Sequence, residues 1–356
     1  MRDGKSFSTD LRVLICRLCG APLTASREGG ETTCDYCGAV SVLSRCRDER
    51  VRITDPTLQG EPDPEKRERL RMASLERQME TYDEEKNPYA YYGTPSGLEH
   101  LDLEYMDPTL PAIASEAFRK AIADCEESGG ELNDQRLVFW IALKLKNMWV
   151  IRDRPHDARP VIETASEVLT DPGYRQLMFC KMADLARKAD DLEAARAWLA
   201  RCDPRPPLLD LDSDYRTTAA AIAIRQGKWS RVLELVGRER GDVPFEPSSV
   251  ALLQLQRVEA LENLGEGEAA ERELGWLLDA LDHDFLARWL DGSKMLASCK
   301  SVWDRIERGG RVSTSNMEHR DAPGASGPAP DRRMAVYVVI GILVVLCIAA
   351  AAYLLT

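Results

Sequence analysis

The chain has 356 residues, more than one hydrophobic core usually serves, so two or more folded units are expected. Its composition, 44% hydrophobic and 30% charged, suits folded domains with a solvated surface. The net charge of -12 argues against a dominant nucleic-acid role, because binding phosphates needs a positive field. Ten cysteines are too few for a disulfide scaffold, and residues 1–14 lack the apolar stretch of a secretory signal.

The first element is a cysteine pattern. Cys16, Cys19, Cys34 and Cys37 stand in C-x2-C-x14-C-x2-C spacing, and Gly20 and Gly38 follow the two pairs. A Cys-x-x-Cys turn brings two thiolates to one point, and the glycine after it supplies the positive φ the turn needs. Two such turns make a closed tetrahedral site with four sulfur ligands, which leaves no coordination position open for catalysis. Residues 23–25 are expected as a strand, 27–31 as a turn around Gly29-Gly30, 32–33 as the return and 39–43 as a further strand. Disulfides, a rubredoxin-type iron site and separate redox pairs are the other uses of such cysteines. Zinc is favoured, since the site is expected in a reducing compartment. Cys46 lies nine residues past Cys37 and reads as a spare thiol.

The segments CRLCGAPL and CDYCGAVSVL resemble the zinc-ribbon family over about residues 13–45. The resemblance implies Zn2+ on Cys16, Cys19, Cys34 and Cys37, with a structural or interaction role. So small a module, taken here as 11–46, is expected to need its metal to fold. Residues 1–54 carry nine Arg or Lys against seven acids and few aromatics, so nucleic-acid binding is not expected of it.

Residues 61–110 form a connector. Met72, Leu75, Met79 and Tyr82 recur at helical spacing within dense mixed charge. This predicts a solvent-exposed amphipathic helix over 61–86, or a short coiled coil. Tyr89, Tyr91, Tyr92 and Tyr105 follow; they are expected to dock on the body, with a partner patch as the other reading.

Residues 111–308 read as a helical body. A helix is expected over 111–127, ended by Gly129-Gly130. Beyond it, Ala158, Ala195, Val232 and Ala270 stand 37, 37 and 38 residues apart. Four residues after each comes Ile162, Leu199, Val236 or Leu274; nine before comes Trp149, Ala186, Ala223 or Leu261. Breakers fall at matching places, namely Asp190-Asp191, Gln226-Gly227-Lys228 and Gly265-Glu266-Gly267. Such a period with paired helices marks a solenoid. Pro160 is placed in the first turn of a helix starting near Asp157. The seven tryptophans are expected in the core.

The stretches KADDLEAARAWL, RQGKWSRVLELV and NLGEGEAAERELGWLL resemble tetratricopeptide repeats over residues 137–281. That family has a shorter period and signature aromatics that are missing here; a generic helical bundle is the alternative. The resemblance implies binding of protein partners on a helical surface.

Residues 309–333 are rich in Gly, Ser, Ala and Pro and read as a flexible linker. The last stretch, 334–356, contains AVYVVIGILVVLCIAAAAYLL, which has no charge. As a helix it would span about 31 Å, the thickness of a bilayer's hydrocarbon. Tyr337 and Tyr353 sit near its two ends, and Arg332 and Arg333 precede it. The positive-inside rule then puts the body in the cytosol on a single C-terminal, tail-anchored span. Arginine outnumbers lysine, which suggests a GC-rich bacterial genome and hence the inner membrane.

Catalytic patterns are absent. His100, His156, His283 and His319 are isolated, and no phosphate-binding or nucleophile motif occurs. The expected fold is mainly α: a small β zinc ribbon, a tetratricopeptide-like α-helical repeat solenoid, then one transmembrane helix. The expected role is a membrane-tethered cytosolic adaptor, not an enzyme, with no small-molecule substrate identified. The alternative is a zinc ribbon that binds nucleic acid or the transcription machinery at a membrane.

Overall fold

The computed structural model describes residues 11–46, 50–56, 58, 60–84, 87–90, 95–280 and 304. It is mainly helical, with small antiparallel sheets near the N-terminus. The chain divides into two units, Met1–Thr218 and Ala219–Thr356. The boundary falls inside one long helix of the expected repeat region, Leu209–Arg225.

In the first unit, each cysteine knuckle is the turn of its own hairpin. Strand β1 (Leu11–Ile15) pairs antiparallel with β2 (Pro22–Ser26), with Leu11 opposite Ser26 and Ile15 opposite Pro22. Strand β3 (Gly30–Thr33) pairs with β4 (Val40–Leu43), with Gly30 opposite Leu43 and Thr33 opposite Val40. This corrects the expected hairpin across Gly29-Gly30. Residues 22–26 are extended, but their ladder partner is 11–15. The knuckles close the hairpins through backbone bonds, Cys16 N–H to Ala21 O at 2.8 Å and Cys34 N–H to Ala39 O at 2.9 Å. Between β2 and β3, the Thr32 hydroxyl donates to Thr24 O at 3.2 Å.

Helix α1 (Pro64–Glu80) begins where Asp63 caps it, accepting from the Glu65 amide at 2.9 Å, with Pro64 in the first turn. It is not the free-standing helix that its charge pattern predicts. Leu75 has no exposed surface. The buried Arg71 guanidinium lies 2.8 Å from Asp212 Oδ1 and 3.1 Å from Pro206 O. Gln78 donates to Pro207 O at 2.9 Å and accepts from the Leu209 amide at 2.9 Å. The helix thus docks on residues 206–212.

The connector docks as well. Tyr89 donates to Asp171 Oδ1 at 3.1 Å, and its ring meets Tyr174 edge-on at 5.1 Å. Residue 173 must be glycine for this contact, because a Cβ there would lie 2.4 Å from the Tyr89 ring. The Lys144 ammonium sits 4.8 Å from the Tyr105 ring centre. Tyr91 and Tyr92 lie outside the described residues.

Helices α2 (Leu110–Glu127), α3 (Leu132–Ile151), α4 (Pro155–Val168), α5 (Pro172–Lys188) and α6 (Leu192–Leu199) follow, and each packs on the next. Helix α2 also touches α4, and α3 touches α5. Asp171 and Asp191 cap α5 and α6 by accepting from the amides of Tyr174 and Ala194 at 3.0 and 2.9 Å. Helix α7 (Leu209–Arg225) contains the unit boundary. In the second unit, α9 (Val250–Asn263) packs on both α8 (Trp229–Val236) and α10 (Gly267–Ala280).

Ala158, Ala195, Val232 and Ala270 fall in α4, α6, α8 and α10, and none has exposed surface. Ala186, Ala223 and Leu261, nine residues earlier, are buried too. Trp140 and Trp198 are buried; Trp149, Trp229 and Trp276 are half-buried. Trp289 and Trp303 lie outside the described residues. One helix start differs from expectation. Helix α4 begins at Pro155, so Pro160 is its sixth residue and lies in the second turn. Burial of residues 158–166 sets that register and overrides the missing proline donor.

No helix among the described residues is long and apolar enough to cross a membrane. The expected linker at 309–333 and span at 335–355 lie outside them, as does the stretch 281–303 of the expected body.

Candidate metal centre

The two knuckles share the run Cys-x-x-Cys-Gly-Ala, at 16–21 and 34–39, and fold alike. The Gly20 amide donates to Cys16 O at 2.8 Å and the Gly38 amide to Cys34 O at 2.9 Å. Both glycines take positive φ, 76° and 72°, a conformation that costs a residue with a Cβ. The loops therefore turn tightly enough to aim both sulfurs of each pair at one point.

The sulfurs of Cys16, Cys19, Cys34 and Cys37 all lie within 4.8 Å of one another. Across the knuckles, Cys19 lies 3.6 Å from Cys34 and Cys16 3.8 Å from Cys37. A tetrahedral ion with metal–sulfur bonds of about 2.3 Å sets its sulfurs about 3.8 Å apart. A disulfide needs about 2.05 Å. The spacing thus matches four ligands around one ion. Among the described residues this is the one such group of His, Cys, Asp or Glu.

Cys16 and Cys34 are each 1% exposed and pack with Leu23, Ala21 and Ala39. Cys19 and Cys37 face solvent. The site is thus supported from below by a small apolar cluster and open on one side. Its thiols do not ionise alike. The amides of Tyr36 and Cys37 donate to the Cys34 sulfur and hold its pKa down at about 7. At Cys37 the Ala39 amide acts in the same direction, but hydrogen bonding with Cys19 and burial push the thiol up to about 12. Four sulfurs this close cannot all carry charge unaided, which is the electrostatic condition a bound cation relieves.

Cys46 does not join them. Its sulfur accepts from Arg27 Nη2 at 3.2 Å, and burial pushes its thiol up. His100 and His156 are not part of the cluster, and His283 lies outside the described residues.

Sequence reasoning missed how the ribbon is held. Residues 11, 13 and 15 alternate along β1, so their polar groups share one edge. The side chains of α4 satisfy that edge. The Val13 amide donates to Glu163 Oε2 at 2.7 Å, the Ile15 amide to Thr164 Oγ1 at 2.8 Å, and Arg159 Nη2 to Leu11 O at 2.7 Å. Arg159 also pairs with Glu163 at 3.1 Å, and both are buried. Burial nonetheless leaves the Glu163 carboxyl raised, against the pull of Arg159 and of the Val13 amide. Arg12, 1% exposed, binds Glu167 at 2.8 Å and the carbonyls of Ser26 and Ser44 at 3.0 and 2.8 Å. The legible signal was the four-residue spacing of Arg159, Glu163 and Glu167, which puts three charges on one face of a helix otherwise rich in small and apolar residues.

The four cysteines and their hairpins thus make a site that can bind a metal ion, joined to the helical body through α4. No protein-family model matches this chain, and no curated protein or solved structure matches it.

Proposed function

We propose that the chain is a membrane-tethered cytosolic adaptor in which a structural Zn2+ holds the ribbon and the helices gather protein partners. The observation that supports it is the packing of each helix on the next within α2–α6 and within α8–α10, with a small residue fully buried in α4, α6, α8 and α10 at 37- or 38-residue intervals. Stacked helix pairs bury one face on their neighbours and present an extended surface suited to polypeptides. This is the tetratricopeptide-like solenoid reading, with the second helix of each pair bearing the small residue.

Zinc is the ion of choice for an all-thiolate, four-coordinate site with no open position, and such a site supports structure instead of chemistry. Tethering rests on the uncharged 335–355 stretch and on Arg332 and Arg333 before it. The nucleic-acid alternative has less support. Several of the ribbon's cations are engaged within the chain: Arg12 with Glu167, Arg17 with Glu126, Arg27 with Cys46 and Arg45 with Glu28.

The test uses the full-length chain. Membrane fractionation, metal analysis and cross-linking in the membrane before detergent extraction are read together. The expected result is extraction by detergent only, one zinc per chain, and a protein partner whose cross-links map to α3–α10. A chain that stays soluble without detergent and cross-links to no protein would overturn the adaptor reading.

A further inference from the structure

Within the first unit, lined by none of the four clustered cysteines, lies a cleft of about 570 Å3. Its walls are residues 50–55, the first turns of α1 and the turn at 202–207. Each wall is pinned. The Val51 amide donates to Arg201 O at 2.8 Å and the Ile53 amide to Asp203 Oδ2 at 3.1 Å. Arg71 holds Pro206 O at 3.1 Å. The three walls are therefore tied to one another by bonds within the chain.

Its chemistry runs against that of the chain. The net charge of the whole is -12, yet Arg50, Arg52, Arg67, Arg71 and Arg205 line this cleft against Asp55, Glu68 and Asp203. The acids are largely committed. Glu68 receives both Nε and Nη2 of Arg71, at 3.1 and 2.7 Å. Asp203 accepts from the backbone amides of Ile53 and Arg205, at 3.1 and 3.0 Å. Arg50 and Arg52 are not, and Arg205 is so only at long range. The side chains of Arg50 and Arg52 make no hydrogen bond or ion pair among the described residues. Arg67 donates to the Glu61 carbonyl, and Arg205 is 66% exposed and 3.8 Å from Glu68. Between these cations the wall is apolar, with Val51, Ile53 and Pro207.

Unspent guanidinium forks beside an apolar wall match a ligand with an anionic head on an apolar body. We propose that this cleft binds a small organic anion, a carboxylate or phosphate monoester on an apolar group, with Arg52 and Arg205 gripping the head.

Isothermal titration of the full-length chain in non-ionic detergent tests this with four probes: phenyl phosphate, benzoate, inorganic phosphate and phenol. Phenyl phosphate or benzoate is expected to bind saturably at one site. Inorganic phosphate and phenol, each lacking half of the chemistry, are expected to bind at least about tenfold more weakly. Arg52→Gln with Arg205→Gln is expected to weaken the aromatic anion at least about tenfold. Its melting temperature and metal content are expected to stay unchanged. Should the pair melt lower, Arg52→Gln alone decides by the same criterion, since that side chain has no partner to lose. The proposal is overturned if neither aromatic anion saturates, if inorganic phosphate or phenol binds as tightly, or if the substitutions leave binding intact.

Discussion

The ribbon and the helices both carry recurring positions, and what recurs differs. In the ribbon, Cys-x-x-Cys-Gly-Ala recurs letter for letter at 16–21 and 34–39. A ligating sulfur and a positive φ each call for one residue type. In the helices, the matching positions are Ala158, Ala195, Val232 and Ala270, alike in size and burial but not in identity. There the requirement is a small apolar volume between packed helices, and more than one side chain meets it. A metal site is therefore recorded in residue identity, and a packed helix pair only in spacing and bulk.

Removing a ligand tests the sharper half of that contrast. Structural zinc contributes on the order of 10 kcal/mol to modules of this kind. Cys16→Ser, or chelation, is expected to abolish metal binding and amide protection across 11–46, while α8–α10 keep theirs. Hydrogen exchange with metal analysis reads both. Protection that survived metal loss would mean that the clasp from α4 holds the ribbon by itself.

The next effect belongs to the join between α1 and residues 206–212. Asp212 has no exposed surface and is held by two cations, Arg71 at 2.8 Å and Arg216 at 2.6 Å, so Arg71→Ala leaves a buried carboxylate with one of its two partners. Because Arg216 remains, a loss of about 3 kcal/mol, the lower end for breaking a buried pair, is expected in urea unfolding. A change typical of a surface substitution would show that α1 does not dock in solution.

Glu259 tests how far the helices rely on burial alone. Its residue is 4% exposed, Oε2 has no hydrogen-bond partner, and burial pushes its pKa up to about 7. Well below the ordinary carboxylate pKa, near about pH 3, the group is neutral whether folded or not and costs nothing. As pH rises toward 7 the unfolded chain ionises first, so stability falls. Above 7 the full penalty stands, about 3 kcal/mol. Glu259→Gln is thus expected to raise the melting temperature at about pH 8 and to lose that advantage in acid. An advantage independent of pH would sink the assignment.

The smallest effect concerns one small anchor. Ala195→Leu is expected to cost about 1–3 kcal/mol by overpacking α6 against α5, read from the melting curve. A neutral outcome would mean that the 37-residue spacing has no packing meaning.

Much of this was legible because it is local. The candidate ligands Cys16, Cys19, Cys34 and Cys37 announce themselves by spacing and by the glycines beside them. The ends of α2, α5 and α9 follow Gly129-Gly130, Asp190-Asp191 and Gly265, breakers that act within one turn. What stayed hidden depends on partners far along the chain. Nothing in residues 11–15 says that they pair with 22–26. Nothing near Met72 and Leu75 says that Arg71 will find Asp212, over 100 residues later.

By itself, the amino-acid order determined which side chains can bind a metal, where several helices stop, and which small residues recur. Only the tertiary structure decided which strand lies beside which, that α4 closes the open edge of β1, and that Arg50, Arg52 and Arg205 line one cleft. The physical reason is range. Backbone conformation and knuckle chemistry are settled by a few neighbouring residues. An unpaired strand edge or a buried charge is satisfied by whatever the completed fold brings within hydrogen-bonding distance.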